Sequence, residues 1–474
     1  MVSSGLRGAS LGLALLLCGC TVGPDYKLPK SAIINAPDAQ GAFAAGGQIA
    51  KGANPPGNWW HLYDSQTLDK LVPLALQRNT NIRVAQADLE RTYALIRATR
   101  DGQSFDAGVD GGVVYAQDSA QAVLQDTPAP QQGEYNSGIS VSYDLDLFGG
   151  IRRAVEAAAD NSEAAAAARD LVRVNVAAET TRAYAEICDD GNEIDALKEL
   201  IALQQKRVAY VDLLSAHGRA VAFDADEQQE RLSSLQSQLA PLQAAQLNAA
   251  YRLSTLLGQP PAAYNPAWLA CHRPLRLVQP IPVGNGASLL RRRPDVREAE
   301  RRLAASTADI GVQTATLYPD IRLGASIGST GATASAFSAA TNRFAVGPMI
   351  SWNLNQGATR ARIDAAKAET KARLAAFDGT VLKALLETQS DLNAYGAQLD
   401  RLNELKATRD ETGKVAADLT AMHAGGRIDA LTALAAQQTQ AAAQLAVAKA
   451  DTDVTESQIN VFLALGGGWN TAMP

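Results

Sequence analysis

Two stretches, 149–217 and 356–423, contain no proline, although the 474-residue chain has 19. Both are rich in Ala, Leu, Gln, Glu, Lys and Arg, the residues that lose least on entering a helix. At a rise of ~1.5 Å per residue, a helix spanning either stretch is on the order of 100 Å long, roughly three bilayer thicknesses. Such a helix is a coiled coil, a fibre or the wall of something tall.

A heptad rhythm narrows this. Leu171, Val174, Ala178, Thr181, Ala185 and Cys188 follow alternating spacings of three and four. Leu232, Leu235, Leu239, Leu242, Gln246, Ala249, Leu253 and Leu256 keep the same rhythm, as do Leu431, Leu434, Gln438, Ala441, Leu445, Ala448, Thr452, Thr455, Ile459 and Phe462. A sustained period of this kind means helices paired along a seam. From the helices alone, a plain coiled-coil rod stays open.

Composition excludes some classes. The chain is mildly acidic, with a net charge of −6, which argues against a nucleic-acid partner, whose footprint is a basic patch. Arg7 and the apolar run 11–17, too short to span a membrane, read as a targeting segment. The run ends in Leu17-Cys18-Gly19-Cys20, which resembles the lipobox of bacterial lipoproteins. That resemblance implies a signal peptide over 1–19, cleavage before Cys20 and a covalent lipid there, the only non-protein group expected. Thr21 stands where an Asp would imply retention at the inner membrane, so sorting to the outer membrane is expected. Acyl chains anchor a protein without making it span. Cys188 and Cys271 then remain in an oxidising compartment, and whether they pair is left open.

In chain order, 20–57 is an extended segment without periodicity. Trp59-Trp60 and Leu68, Leu71 and Leu74 open a helix expected to continue to about Arg100. Strands are expected at about 103–118 and 135–148, then a helical hairpin over 149–257. A Pro-rich linker, 259–285, wraps the body. The pattern then repeats over 286–466, with strands at about 319–331 and 343–355, a hairpin over 356–465 and a tail, 467–474. Arg83 to Leu89 aligns with Arg297 to Leu303 at an offset of 214 residues, while Arg153 to Ala158 aligns with Ala361 to Ala366 at 208. Leu257-Gly258 aligns with Leu465-Gly466, again at 208.

The strand segments bear on rod against channel. Ile139, Val141, Tyr143 and Leu145 alternate with Ser140, Ser142 and Asp144. Ile321, Leu323, Ala325 and Ile327 alternate with Arg322, Gly324, Ser326 and Gly328. Phe344, Val346, Pro348, Ile350, Trp352 and Leu354 alternate with small or polar residues, and Phe105 to Val113 do so more weakly. A period of two with one apolar face fits a transmembrane β-barrel wall or a sandwich with one solvated face. Four strands cannot close a barrel, so a barrel requires several chains.

The segments Ser142-Tyr-Asp-Leu-Asp-Leu-Phe-Gly149, Arg293-Pro-Asp-Val-Arg297, Leu317-Tyr-Pro-Asp320 and Leu463-Ala-Leu-Gly-Gly-Gly-Trp469 resemble the TolC-type outer-membrane factors, and within them the lipoprotein branch serving RND multidrug efflux. The first repeat departs from the second in carrying Ser104-Phe105-Asp106 without the proline of Tyr318-Pro319-Asp320. The resemblance implies a mainly α fold with a transmembrane β part: a homotrimer with a twelve-stranded barrel, four strands per chain, continued by a long periplasmic α-helical barrel. It further implies a periplasmic adaptor, an inner-membrane RND-type pump and outer-membrane lipid as partners.

No catalytic or metal-binding constellation is present: His61, His217, His272 and His423 lack ligand spacing with Cys or carboxylates. The expected functional chemistry lies where the long helices turn back. One turn carries His217, Gly218, Arg219 and Asp224; the other carries His423, Gly425, Gly426, Arg427 and Asp429. In the family, acidic residues after these turns ring the closed aperture, and Asp224 and Asp429 are taken as the matching pair, with Arg219 and Arg427 as latches. The turns themselves, His217-Gly218 and His423 with Gly425-Gly426, are expected to meet the adaptor. Carboxylate rings favour cations and repel themselves unless bridged; the same residues also suit helix capping. The expected function is an outer-membrane duct that passes small molecules for an inner-membrane pump. A protein-secretion duct and a lipid-anchored scaffold without a pore are the alternatives.

Overall fold

The computed structural model describes residues 21–43, 49–50, 54–121, 126–128 and 130–467. The expected signal peptide, Cys20 and residues 468–474 of the tail lie outside that range. In chain order the principal elements are α1 (Leu68–Arg78), α2 (Thr80–Asp101), β1 (Asp106–Ala116), β2 (Gln132–Asp144), α3 (Gly150–Ala216), α4 (Ala222–Ser237), α5 (Leu239–Leu256), α6 (Gly286–Arg292), α7 (Pro294–Ala315), β3 (Asp320–Ala332), β4 (Asn342–Ser351), α8 (Gly357–Ala424) and α9 (Ala430–Ala464). The fold is mainly helical with one four-stranded antiparallel sheet. Where proline is absent the helices run on: α3 has 67 residues and α8 has 68.

Two expected helices are broken, each for a local reason. The helix anticipated from Trp59 to about Arg100 is a 3-10 turn, Trp59–Tyr63, followed by α1 and α2. Asn79 separates the last two: its backbone is extended, and its Oδ1 accepts the N–H groups of Asn81 and Ile82 at 2.9 and 3.4 Å. Its Nδ2 donates to the Leu256 carbonyl at 3.1 Å, so the side chain caps α2 and ties it to α5, while the backbone N–H of Asn79 closes α1 on Ala75 O at 2.8 Å. The helix expected to return unbroken to Leu257 is split at Gln238, because Pro241 has no N–H for the carbonyl one turn back.

The sequence offset between repeats drops from 214 to 208 between the strands of each half. The missing six residues fall in the strand-connecting segment, which is 117–131 in the first half and only 333–341 in the second.

The compact units do not follow the repeat halves. One gathers 21–29, 89–165 and 298–377; the other gathers 30–88, 166–297 and 378–467. Each takes equivalent pieces from both repeats, as expected if the halves pair side by side. The first unit holds the sheet. The second holds the main core, where Trp59, Leu68, Ile187, Leu253, Ile281, Leu289, Leu392, Ile459 and Phe462 are almost fully buried. Trp59 stacks on Phe462 at 4.5 Å.

Burial on α9 explains why a two-helix rod is the wrong picture. The expected seam residues Ala441, Ala448, Thr455, Ile459 and Phe462 are buried, but so are Val447, Ala450, Val454 and Val461. A helix buried along two stripes packs against neighbours on both sides, as in a wall. Cys188 on α3 is bonded to Cys271 of the linker. Gly191 lets the linker approach, since a Cβ there would stand 2.3 Å from the Cys271 carbonyl oxygen.

Candidate functional site

The sheet is built without a bulge, in the order β1-β2-β3-β4. Residues directly opposite in an antiparallel pair share a face, so register converts the parity of each strand into one surface. Val109, Ile139, Ile327 and Phe344 form one row across all four strands; Ala107, Val141, Ala325 and Val346 form the next. The seven charged residues of the strands are Asp106, Asp110, Glu134, Asp144, Asp320, Arg322 and Arg343, and every one lies on the opposite face.

The apolar face is open in the single chain: Val109 and Phe344 are each 84% exposed and Val346 80%. A contiguous apolar surface of this kind marks a membrane or protein contact. Aromatic residues flank it, Tyr115 and Tyr135 at one end and Phe105, Tyr143 and Trp352 at the other. The eight steps from Tyr135 to Tyr143 span ~27 Å of extended strand, or ~20 Å of height at the tilt of outer-membrane barrel strands, most of their ~25 Å apolar band. Among the described residues, β1 and β4 each keep one edge unpaired, which no hydrocarbon environment tolerates.

The polar face is lined mostly by glycine, serine and alanine, with charge at its two ends. At the end nearest the long helices, Arg322 lies 2.9 Å from Asp320 and 3.6 Å from Asp144. Toward the other end, Asn136 Nδ2 donates to Asp110 Oδ2 at 2.9 Å, and Arg343 Nη2 donates to Asn136 Oδ1 at 2.8 Å. Sequence reading passed over this second group because its members come from three strands.

The motifs that carry the family resemblance have local work to do. Asp146, at φ +40°, accepts the N–H groups of Ile151 and Arg152 at 2.9 and 3.0 Å and so caps α3. Phe148 stacks on Tyr318 at 4.5 Å. Pro294 occupies the first position of α7, where a missing N–H costs nothing. Arg293 is buried, donating to Asp295, to Glu387 at 2.7 Å and to the Ala464 carbonyl at 2.9 Å.

A second missed element is the seat of the N-terminal strap. Val22 N–H donates to the Phe148 carbonyl at 3.1 Å. Arg153, 3% exposed, donates to the carbonyls of Val22 and Gly23 and pairs with Asp25 at 2.7 Å and Glu156 at 2.8 Å. The hydrogen bond from Arg153 holds the Asp25 carboxyl below its ordinary range. Gly149, at φ +76°, makes room: a Cβ there would meet the Thr21 Cα at 2.9 Å. Tyr26 donates to Glu300 at 2.9 Å, under the Arg301 guanidinium, 5.6 Å from its ring centre. Thr21, the residue after Cys20, is thus held where β2 passes into α3.

The helical turns are built alike at their first corner. Gly218 and Gly426 have φ of +70° and +68°. Arg219 N–H donates to Leu214 O at 2.8 Å, and Arg427 N–H donates to Met422 O at 2.9 Å, the closure that spends a left-handed glycine to satisfy the last carbonyls. His217 Nδ1 bonds Leu213 O at 2.8 Å and His423 Nδ1 bonds Ile428 O at 3.1 Å, so each carries its proton on Nδ1. Gly425 N–H returns to Ala421 O at 3.0 Å.

At the second corner the turns differ, and Asp224 and Asp429 are not equivalent positions. Asp429 is the N-cap of α9, its carboxylate accepting Thr432 N–H and Oγ1–H, both at 2.8 Å. Those bonds hold its carboxyl below the ordinary range. Asp224 is the third residue of α4 and accepts the N–H of the N-cap, Val221, at 3.3 Å. At the offset of 208, Asp429 corresponds to Val221, and Asp224 to Thr432. Among the described residues neither Arg219 nor Arg427 forms an ion pair within the chain. Further along the helices, Gln438 Nε2 donates to Gln204 Oε1 at 2.6 Å and Arg207 donates to Gln438 Oε1 at 3.0 Å, joining α9 of one hairpin to α3 of the other.

The comparisons agree with this architecture. The profile described as outer membrane efflux protein matches residues 71–259 and 286–467. The outer membrane protein OprJ of Pseudomonas aeruginosa is 27% identical over 469 residues, covering 98% of this chain and 96% of its own. The toluene efflux pump outer membrane protein TtgF of Pseudomonas putida is 28% identical, covering 97% and 96%. The solved outer-membrane channel OprN superposes with a TM-score of 0.84 at 31% identity, covering 95% of this chain and all of that one. The chain belongs to the outer membrane efflux protein family.

Proposed function

We propose that three copies of this chain close edge to edge, β4 of one on β1 of the next, into a twelve-stranded barrel that opens into a helical duct. The observation that carries this reading is the segregation of the seven strand charges to one face. Closure turns the apolar face to lipid, the polar face to a water-filled lumen and satisfies both free edges. The protein is an outer-membrane channel, not an enzyme; it passes small molecules and draws its energy from an inner-membrane pump.

The finer assignments follow from placement. A lipid on Cys20 fits the strap, because Arg153 and Gly149 seat Thr21 at the strand-to-helix passage, beside the inner aromatic end of the sheet. The lipid then adds an anchor at the edge of the apolar band without further chain. A periplasmic adaptor fits the turns His217-Gly218 and His423 with Gly425-Gly426, where Val221 and Phe223 are 63% and 73% exposed. An RND-type pump completes the path. We assign Asp224, Asp429, Arg219 and Arg427 to the periplasmic aperture, which opens when the hairpins relax outward.

The test is the mass of the detergent-purified, acylated protein by light scattering, together with its conductance in a planar bilayer. A trimer with discrete conductance steps is expected. A monomer that never conducts would leave an anchored scaffold and overturn the barrel.

A further inference from the structure

Asp110 on β1 and Arg343 on β4 stand on the two edge strands, yet they belong to one row, with Gly138 and Gly328 between them. Asn136 bridges the pair by the two hydrogen bonds given above, and the guanidinium lies 3.9 Å from the Asp110 carboxylate. The glycine at 138 is what allows the two to converge: a Cβ there would stand 3.1 Å from both Arg343 Nη2 and Asp110 Oδ1. Both side chains remain open, Arg343 40% and Asp110 52% exposed. They are therefore presented to the space before the polar face, not sunk into the wall. The next two rows toward the long helices hold only glycine, serine and alanine apart from Asp106, and the charged group of Asp144, Asp320 and Arg322 lies beyond them.

We propose that Asp110, Asn136 and Arg343 are specificity-determining residues of the duct: a charge-balanced collar in the outward half of the barrel. Resting on the closed-barrel reading, three copies place alternating carboxylates and guanidinium groups around one level of the lumen, separated from the charged group near the long helices by rows of mostly small residues. At this level the two charges offset one another, whereas either partner alone would add a ring of a single sign to a lumen that is acidic elsewhere. In a lumen of this kind opposite charges cancel within a few ångströms, while an unbalanced ring acts over about a Debye length, ~10 Å at 0.1 M salt.

The experiment measures the reversal potential of single channels in a KCl gradient, after light scattering confirms the wild-type mass of each variant. Arg343→Gln should raise the preference for K⁺ over Cl⁻ by about two-fold or more, and Asp110→Asn should lower it by a similar factor. The double variant, and the swap Asp110→Arg with Arg343→Asp, should each return to the wild-type ratio. Single variants that leave the ratio unchanged, or move it in the same direction, overturn the collar while the duct stands. Failure of one single variant to assemble leaves the other and the swap, whose directions are still fixed. Absence of any wild-type conductance overturns the barrel reading instead.

Discussion

The two helical turns occupy equivalent places in the two repeats and solve the same problem with different residues. At each, a helix of nearly seventy residues ends on a left-handed glycine and a new helix starts four residues later. The first corner is the same in both. The start of the returning helix is not: the first repeat has an acidic third residue, Asp224, and Val221 at the N-cap. The second keeps the N-cap, Asp429, and has Thr432 at the third position. Each retains one half of a capping box. The two carboxylates therefore sit three residues apart in register of the repeat. If they gate an aperture, they do so as two rings in different surroundings.

Charge and capping separate cleanly under isosteric neutralisation, because Asn caps a helix about as well as Asp. Asp224→Asn with Asp429→Asn should raise bilayer conductance several-fold while leaving the turns folded; unchanged conductance would remove the pair as the gate and leave them as caps. Gly218→Ala and Gly426→Ala come next. Nothing lies within 4 Å of a Cβ built on either glycine, so the loss is purely conformational, about 1–2 kcal/mol per turn, and should be equal at both by amide exchange.

Val221→Ser should restore the missing N-cap of α4 and stabilise the first turn by about 1 kcal/mol. The same change gives nothing at the second turn, which is already capped. The smallest effect is that of pH. Asp429 has its folded pKa depressed by the Thr432 bonds, so its contribution is present above the ordinary carboxylate range and is lost as pH falls through the folded value. Protection of the Thr432 amide should fall at acid pH and should lose that pH dependence in Asp429→Ala. A Thr432 amide indifferent to both would break the contrast between the turns.

Much of this was legible in the chain. Absence of proline announced α3 and α8, because nothing else breaks a helix so reliably, and period-two alternation announced the strands. The drop in repeat offset was visible in the chain, but only the strand bounds put the missing residues in the strand connection. The breaks at Asn79 and Gln238 were less visible: Asn79 acts through bonds to both sides of itself and to Leu256, 177 residues away, and Pro241 sits inside a run whose heptads continue through it. The seat of the strap was invisible for the same reason, since Arg153 meets residues some 130 positions earlier.

Parity within each strand already separates charge from hydrocarbon, and that is set by the chain alone, because successive side chains must point to opposite sides. Whether four strands present their apolar sides to one surface depends on register, which only pairing decides. The collar shows the difference most plainly: Asp110, Asn136 and Arg343 are unremarkable as letters, and become one group only when three strands align and glycine leaves the space between them.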